Sequence, residues 1–246
     1  MTHISQRQVQ FSYFDELLDH PVWKGSKILD FGGNVGGFLA GAGDNVEHDD
    51  YWCLDVTKAA IEQGQQQFPR AHFVHFNRYS SYFNPDGVPY FAVPDLGLKF
   101  DIIVAFSVFT HTHQNEMLEL VRQLRSQLEP GGVLAFTFTD PTYDKSLSDP
   151  SLPPRAGVLA QFDSSSGDPR GKLDLGWCVV IDEQIFMEPG SEYCQQKRRG
   201  SPGESYCSYY TSSYMTSLFP DATIRPPVVR EWQHCCILRN TAEHKP

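Results

Sequence analysis

The run Asp30-Phe31-Gly32-Gly33-Asn34-Val35-Gly36-Gly37 restricts this chain more than any other stretch. It follows Lys27-Ile28-Leu29, which reads as the start of a buried strand, and precedes Phe38-Leu39-Ala40, which reads as the first turn of a helix. A strand, a glycine-crowded turn and a helix make a cradle of nucleotide size. Glycines let the backbone approach a ligand closely, and a helix start carries N–H groups without intrahelical partners. The carboxylate of Asp30 would repel a phosphate and attract a cationic amine. The dinucleotide fingerprint G-x-G-x-x-G fits neither register: from Gly32 its second glycine falls on Asn34, and from Gly33 it falls on Val35. Taken alone, such a loop could also be a tight turn with no ligand.

The flanking segments alternate between two periods. Residues 4–18 carry Val9, Phe14, Leu17 and Leu18 in a short amphipathic helix that His20-Pro21 would end. Residues 51–55 read as a second strand. Thr57 reads as the N-cap of a helix through Ala59, Ala60 and Ile61 that stops at Phe68-Pro69. Residues 71–76 form a third strand, 77–99 an irregular loop, and 100–106 a near-continuous apolar run as expected of a buried parallel strand. Met117, Leu120, Val121, Leu124 and Leu128 recur at helical spacing, with Glu129-Pro130-Gly131-Gly132 as the stop and residues 133–138 as the next strand. This alternation predicts an α/β fold: a doubly wound, mostly parallel sheet with helices on both faces and right-handed crossovers. It breaks after Thr139. Residues 140–176 are rich in Ser, Asp, Pro and Gly. Residues 177–181 and 184–187 could pair as a hairpin, residues 208–219 suggest a last helix, and late strands fall near 222–229 and 234–239.

The chain's 246 residues suit one large domain, or one domain with a substantial insertion. Its 20 basic and 30 acidic side chains give a net charge of −10, which disfavours nonspecific binding to DNA, RNA or an anionic membrane. Lys197-Arg198-Arg199 reads as a solvated loop rather than a binding patch. The start of the sequence lacks a signal-peptide pattern and no run is long enough to span a bilayer, so a cytoplasmic protein is expected. The six cysteines contain no C-x-x-C pair and read as reduced thiols.

The pattern D-x-G-x-N-x-G from Asp30 to Gly36 resembles the first motif of class I S-adenosylmethionine-dependent methyltransferases, with Asn34 where the family commonly has a glycine. Asn tolerates unusual backbone angles better than most residues. The resemblance runs over roughly residues 25–140 and includes the acidic end of the second strand, the fourth strand and the Leu-Glu-Pro-Gly-Gly run at 128–132. It implies a Rossmann-like methyltransferase fold, completed to seven strands by a C-terminal antiparallel hairpin. It also implies S-adenosylmethionine as cofactor. Asp30, Gly32, Gly33, Asn34 and Gly36 would form the cradle. Asp55, with Val56 beside it, would accept hydrogen bonds from the ribose hydroxyls, for which a carboxylate offers two acceptor oxygens. Asn77 would contact the adenine amine, and Phe106 and Ser107 would bring backbone groups near the methionine moiety.

A sulfonium methyl is already activated, so such an enzyme must align its acceptor and exclude water. For a hydroxyl acceptor a base helps. His111 is the first candidate, His113 the second, and Asp140 could orient a histidine or the substrate. His111 could equally pack or cap the next helix. A metal site is not expected: His111-x-His113 has no matching ligand set, and alternation along a strand separates His234, Cys235 and Cys236. Core packing is the better reading of that trio. The aromatic loops around Tyr79, Tyr82, Phe83, Tyr90 and Phe91, and around Tyr193, Tyr206, Tyr209, Tyr210 and Tyr214, read either as a lid over an apolar acceptor or as satellite cores.

The expectation is a single methyltransferase domain over residues 1–246. Residues 1–24 would be a helical cap, and an insertion at 141–207 would be a lid. The acceptor would be a small molecule methylated at oxygen or nitrogen in specialised metabolism, with no nucleic-acid or membrane partner and a homodimer allowed. The alternatives are a nicotinamide oxidoreductase on the same kind of sheet and a non-catalytic methyltransferase-like partner subunit.

Overall fold

The computed structural model describes residues 9–140, 143, 179–181, 184–186, 193–197, 206–228 and 231–241. Helix α1 (Val9–Leu17) buries Phe11, Tyr13, Phe14 and Leu17. Strand β1 (Ile28–Phe31) is buried at every position and leads through the glycine turn into the short helix α2 (Gly37–Ala42). There follow β2 (Tyr51–Asp55), α3 (Lys58–Gln67), β3 (His72–His75), β4 (Phe100–Ala105), α4 (Gln114–Arg125) and β5 (Leu128–Phe138). Two hairpins come next: β6 (Val179–Ile181) with β7 (Gln184–Phe186), and β8 (Tyr193–Lys197) with β9 (Tyr206–Tyr210), both antiparallel. Helix α5 (Ser212–Leu218), β10 (Thr223–Arg225) and β11 (His234–Arg239) complete the order.

The main sheet has seven strands in the order β10-β11-β5-β4-β1-β2-β3. The pairs β1–β2, β1–β4, β2–β3 and β4–β5 are parallel, and β10–β11 is antiparallel. This is the doubly wound sheet with a C-terminal hairpin that the alternation and the resemblance imply. Chain order reverses between β1 and β4, and in open α/β sheets that reversal opens a crevice beyond the strands' carboxyl ends. A second, four-stranded sheet has the order β7-β6-β8-β9.

The described residues form two compact units. The first comprises residues up to Val108, Leu118–Phe136 and residues from Leu238 onward; the second comprises Phe109–Met117 and Thr137–Ile237. The first has a core of Ile28, Leu29, Phe38, Cys53, Leu54, Ile103, Val104 and Phe136, each at most 1% exposed. The second buries Phe109, Met117, Phe138, Tyr210, Met215 and Cys235 completely.

Several boundaries move from the sequence-based expectation for physical reasons. Leu128 belongs to β5, not to the helical stripe, because α4 ends at Arg125. The Glu-Pro-Gly-Gly run does not interrupt β5; it is absorbed by a register shift against β4 between Phe100 and Ile102. Gly131 takes φ 85° there, and Asn240 secures the segment through bonds from Gly131 N–H and to the Gly132 carbonyl, each 2.8 Å. Ser208, Tyr209 and Tyr210 are strand, not helix, because Thr211 starts the helix by accepting the Tyr214 N–H on its hydroxyl. Thr57 is the N-cap of α3, but its side chain makes no capping bond. Instead its own N–H donates to Asp55 Oδ1 at 2.7 Å. Among the described residues, no helix is long and apolar enough to cross a membrane. The expected helix over residues 4–8, most of the insertion 141–207, Trp177, Cys178, Arg198 and Arg199 lie outside the described residues.

Candidate active site

The turn between β1 and α2 sits at the β1/β4 reversal, and its shape follows from three left-handed residues. Gly32, Asn34 and Gly36 have φ of 77°, 54° and 83°. At Asn34 the departure from glycine is accommodated, since Asn enters this region at low cost. Gly32 N–H donates to the Leu54 carbonyl at 2.7 Å, and Gly36 N–H to the Gly33 carbonyl at 3.0 Å. A side chain at Gly32 would collide with Val108, which follows β4, so glycine is required on both steric and backbone grounds. At Gly36 an added Cβ would come within 2.9 Å of the Phe73 ring.

Two carboxylates bracket the turn, both nearly inaccessible: Asp30 is 2% and Asp55 7% exposed. Asp30 Oδ2 accepts the Tyr51 hydroxyl at 2.6 Å. Its carboxyl group lies against Gly33, where a Cβ would stand 2.5 Å from Asp30 Cγ and 2.8 Å from Cys53 Sγ. Asp55 Oδ2 accepts the Asn34 N–H at 2.8 Å and Oδ1 the Thr57 N–H. Burial, then the charge of Asp30, holds the Tyr51 phenol well above its ordinary pKa. Burial, then Asp30 and Asp55, does the same to the Cys53 thiol. A turn backed by two buried carboxyl groups suits a ligand with a cationic end.

The remaining cradle candidates are placed as follows. Val56 is half-buried, and its carbonyl accepts from His75 Nε2 at 3.1 Å. Asn77 Oδ1 already accepts from Asn84 Nδ2 at 3.1 Å, which ties it into the following loop. That loop is anchored by Arg78, 3% exposed, which pairs with Glu119 Oε2 at 2.8 Å and donates to the Phe91 carbonyl at 2.9 Å. Phe106 lies one residue past β4, against Tyr13 and Phe14 of α1 at ring distances of 5.3 and 6.1 Å. Ser107 takes a left-handed φ of 57°. All these residues belong to the first unit.

The acceptor-side candidates belong to the second unit. His111 closes the 3-10 turn Phe109–His111 and is half-buried. His113 is exposed, and its carbonyl accepts the Met117 N–H at 2.9 Å. Asp140, 7% exposed, accepts the N–H and the hydroxyl of Ser212 on Oδ2, both at 2.7 Å, and so holds the start of α5. His234 is 3% exposed, in the core as strand alternation implies. Its ring stacks on Phe138 at 5.2 Å and meets Tyr143 edge-on at 4.7 Å, while Nδ1 has no hydrogen-bond partner among the described residues. Burial lowers its pKa to about 4 against a smaller opposing pull from Asp140. That electrostatic link between His234 and Asp140 was missed. The signal lay in strand direction, because an antiparallel β11 begins where a parallel β5 ends. Among the described residues no group of three or more His, Cys, Asp or Glu side chains is placed to hold a metal ion.

A methyltransferase-domain family matches residues 29–134. No curated protein matches the chain. Solved structures share its fold at low identity. The PH0226 protein of Pyrococcus horikoshii OT3 is 14% identical over 97% of this chain and 93% of that one, with a TM-score of 0.55. The glycopeptide N-methyltransferase MtfA complexed with S-adenosyl-L-methionine is 11% identical, over 95% and 92%, with a TM-score of 0.52. An S-adenosylmethionine-dependent methyltransferase from Mesorhizobium loti is 13% identical, over 89% and 93%, also with a TM-score of 0.52. Over residues 29–134 the chain matches the methyltransferase-domain model, and its fold is that of these S-adenosylmethionine-dependent methyltransferases. The cradle's donor set, with two buried carboxylates and no basic side chain among the turn residues, fits that cationic cofactor rather than a dinucleotide pyrophosphate.

Proposed function

We propose that this enzyme methylates an oxygen or nitrogen of a small molecule in specialised metabolism. The observation that carries the reading is the turn at the β1/β4 reversal, bracketed by the buried carboxylates Asp30 and Asp55. In this reading Gly32, Gly33, Asn34 and Gly36 form the cradle's floor and Asp30 attracts the cofactor's ammonium group. Asp55, with Val56 beside it, faces the ribose hydroxyls, to which a carboxylate offers two acceptor oxygens. Asn77 contacts the adenine amine. The backbone of Phe106 and Ser107 lines the methionine end. When bound, S-adenosylmethionine supplies a methyl group already activated on its sulfonium.

The protein's remaining task is to orient the acceptor, keep water away and take a proton where the acceptor is a hydroxyl. His111 is assigned the proton, with His113 as second candidate. Asp140 orders the acceptor side through Ser212. Residues 1–24 act as a cap and residues 141–207 as a lid. The net charge of −10 favours a small acceptor over a polyanion, whose phosphates the protein would repel.

Calorimetric titration with S-adenosylhomocysteine and with a nicotinamide dinucleotide tests the cofactor side; tight binding of the latter alone would overturn it. A screen of metabolite extracts for products heavier by one methyl group tests the acceptor. Products found only on RNA, DNA or protein would remove the small-molecule assignment. His111→Ala should cut turnover of the acceptor found while leaving S-adenosylhomocysteine affinity intact; unchanged turnover returns His111 to a packing role.

A further inference from the structure

We propose that Tyr51 is a positioning residue for the cofactor turn: its hydroxyl, donating to Asp30 Oδ2 at 2.6 Å, keeps that carboxylate charged and pressed against Gly33, where it secures the cofactor's ammonium group. The inference rests on the assignment of the turn to S-adenosylmethionine.

Register makes the contact specific. Tyr51 opens β2 opposite Ile28, while Asp30 faces Cys53. The phenol therefore reaches diagonally along the strand pair to the carboxylate two residues on, a span an aromatic side chain can bridge. Its ring is stacked on Phe38 at 6.3 Å and tilted against Phe73 at 6.1 Å, and Tyr51 has no exposed surface. The hydroxyl thus has a fixed position.

The surroundings make a donor necessary. A carboxylate 2% exposed takes up a proton unless hydrogen bonds address its charged form. The titratable neighbours on β2 are Tyr51, Cys53 and, at the strand's end, Asp55. On the other flank β4 sets the apolar Val104 opposite Asp30, and α2 contributes only uncharged residues. Asp55 repels a second negative charge, so it works against ionisation of Asp30. Tyr51 works for it, and its own raised pKa keeps it a proton donor across the working pH range. Loss of the hydroxyl should let Asp30 protonate at higher pH, and a neutral Asp30 no longer attracts an ammonium ion.

The test is calorimetric binding of S-adenosylhomocysteine, which carries the same ammonium group, to the full chain, Tyr51→Phe, Asp30→Asn and the double variant. Tyr51→Phe should bind about tenfold more weakly near neutral pH, the effect of one hydrogen bond to a charged group. Its acid-side loss of affinity should begin about one pH unit higher than in the unsubstituted protein. Asp30→Asn should bind weakly with no such pH dependence, and adding Tyr51→Phe to it should cost nothing further. A wild-type affinity and pH profile in Tyr51→Phe would overturn the inference. So would an equal additional loss in the Asp30→Asn background, which would make Tyr51 a packing residue. Absence of binding by the unsubstituted chain would instead strike the cofactor assignment on which the inference stands. Should Tyr51→Phe not fold, carbon-13 NMR of the aspartate carboxyls in the unsubstituted protein decides: Asp30 must be ionised near pH 7, and a protonated Asp30 there overturns the proposal.

Discussion

The backbone N–H of Asn34 donates to Oδ2 of Asp55 at 2.8 Å, so the glycine turn after β1 and the end of β2 are tied by one side chain. The other oxygen holds the Thr57 N–H ahead of α3. Asp55→Ala removes both bonds and the acceptor oxygens proposed for the ribose. S-adenosylhomocysteine affinity should fall by about 1–3 kcal/mol, and thermal stability with it, because partly buried amides lose their acceptor. Calorimetry and a melting curve on one sample check both; unchanged affinity would take Asp55 out of the ribose role.

Gly32 is constrained twice, by its φ of 77° and by Val108. Gly32→Ala should abolish detectable cofactor binding. Adding Val108→Ala relieves the collision but not the backbone strain, so the double variant should recover part of the binding and remain about 1 kcal/mol less stable than the parent. Full recovery would show that the backbone angle is unimportant.

Arg78 is buried and Glu119 is its carboxylate partner, held below the ordinary glutamate pKa first by that hydrogen bond. Removing the anion takes this counter-charge from a guanidinium that is buried. Glu119→Gln should therefore destabilise the chain by about 3 kcal/mol. It should also loosen the 78–91 loop, whose aromatic side chains Tyr79, Tyr82, Tyr90 and Phe91 are exposed on a backbone held by the Arg78 bonds. Denaturant titration and amide exchange over that loop measure the two effects.

His234 gives the chain an acid-sensitive point. Its pKa is about 4 when folded against an ordinary value of 6.5, so below pH 6.5 the unfolded chain binds the proton that the folded chain resists. The stabilisation is complete above about 6.5 and is lost as pH falls towards 4. The loss should approach 3 kcal/mol relative to His234→Phe, which cannot titrate. Denaturation of both proteins across that range would show the two curves diverging; parallel curves would show that His234 titrates normally.

The sequence made the parallel sheet legible because its central strands β1 and β4 are largely apolar runs and the turn after β1 is marked by glycine and asparagine. Asp30, Gly32, Asn34 and Asp55 were readable because a fixed spacing put them on consecutive elements. Ser208, Tyr209 and Tyr210 were misread as helix because a strand rich in Ser and Tyr carries little periodic apolar signal. The Tyr51–Asp30 and Asp140–Ser212 bonds were not readable at all. They join residues 21 and 72 positions apart, and no local pattern encodes such pairing.

The strand order has a consequence for synthesis. β11 leaves the ribosome after both β10 and β5, yet it lies between them in the sheet. Until it arrives, the nascent chain carries β5 with an open edge, a template for pairing with other chains. Asn240, which bonds Gly131 and Gly132, is made later still. A ribosome paused after β10 would therefore hold an edge needing chaperone cover, and shortening the chain before Asn240 should raise aggregation during translation more than it lowers the stability of protein already folded.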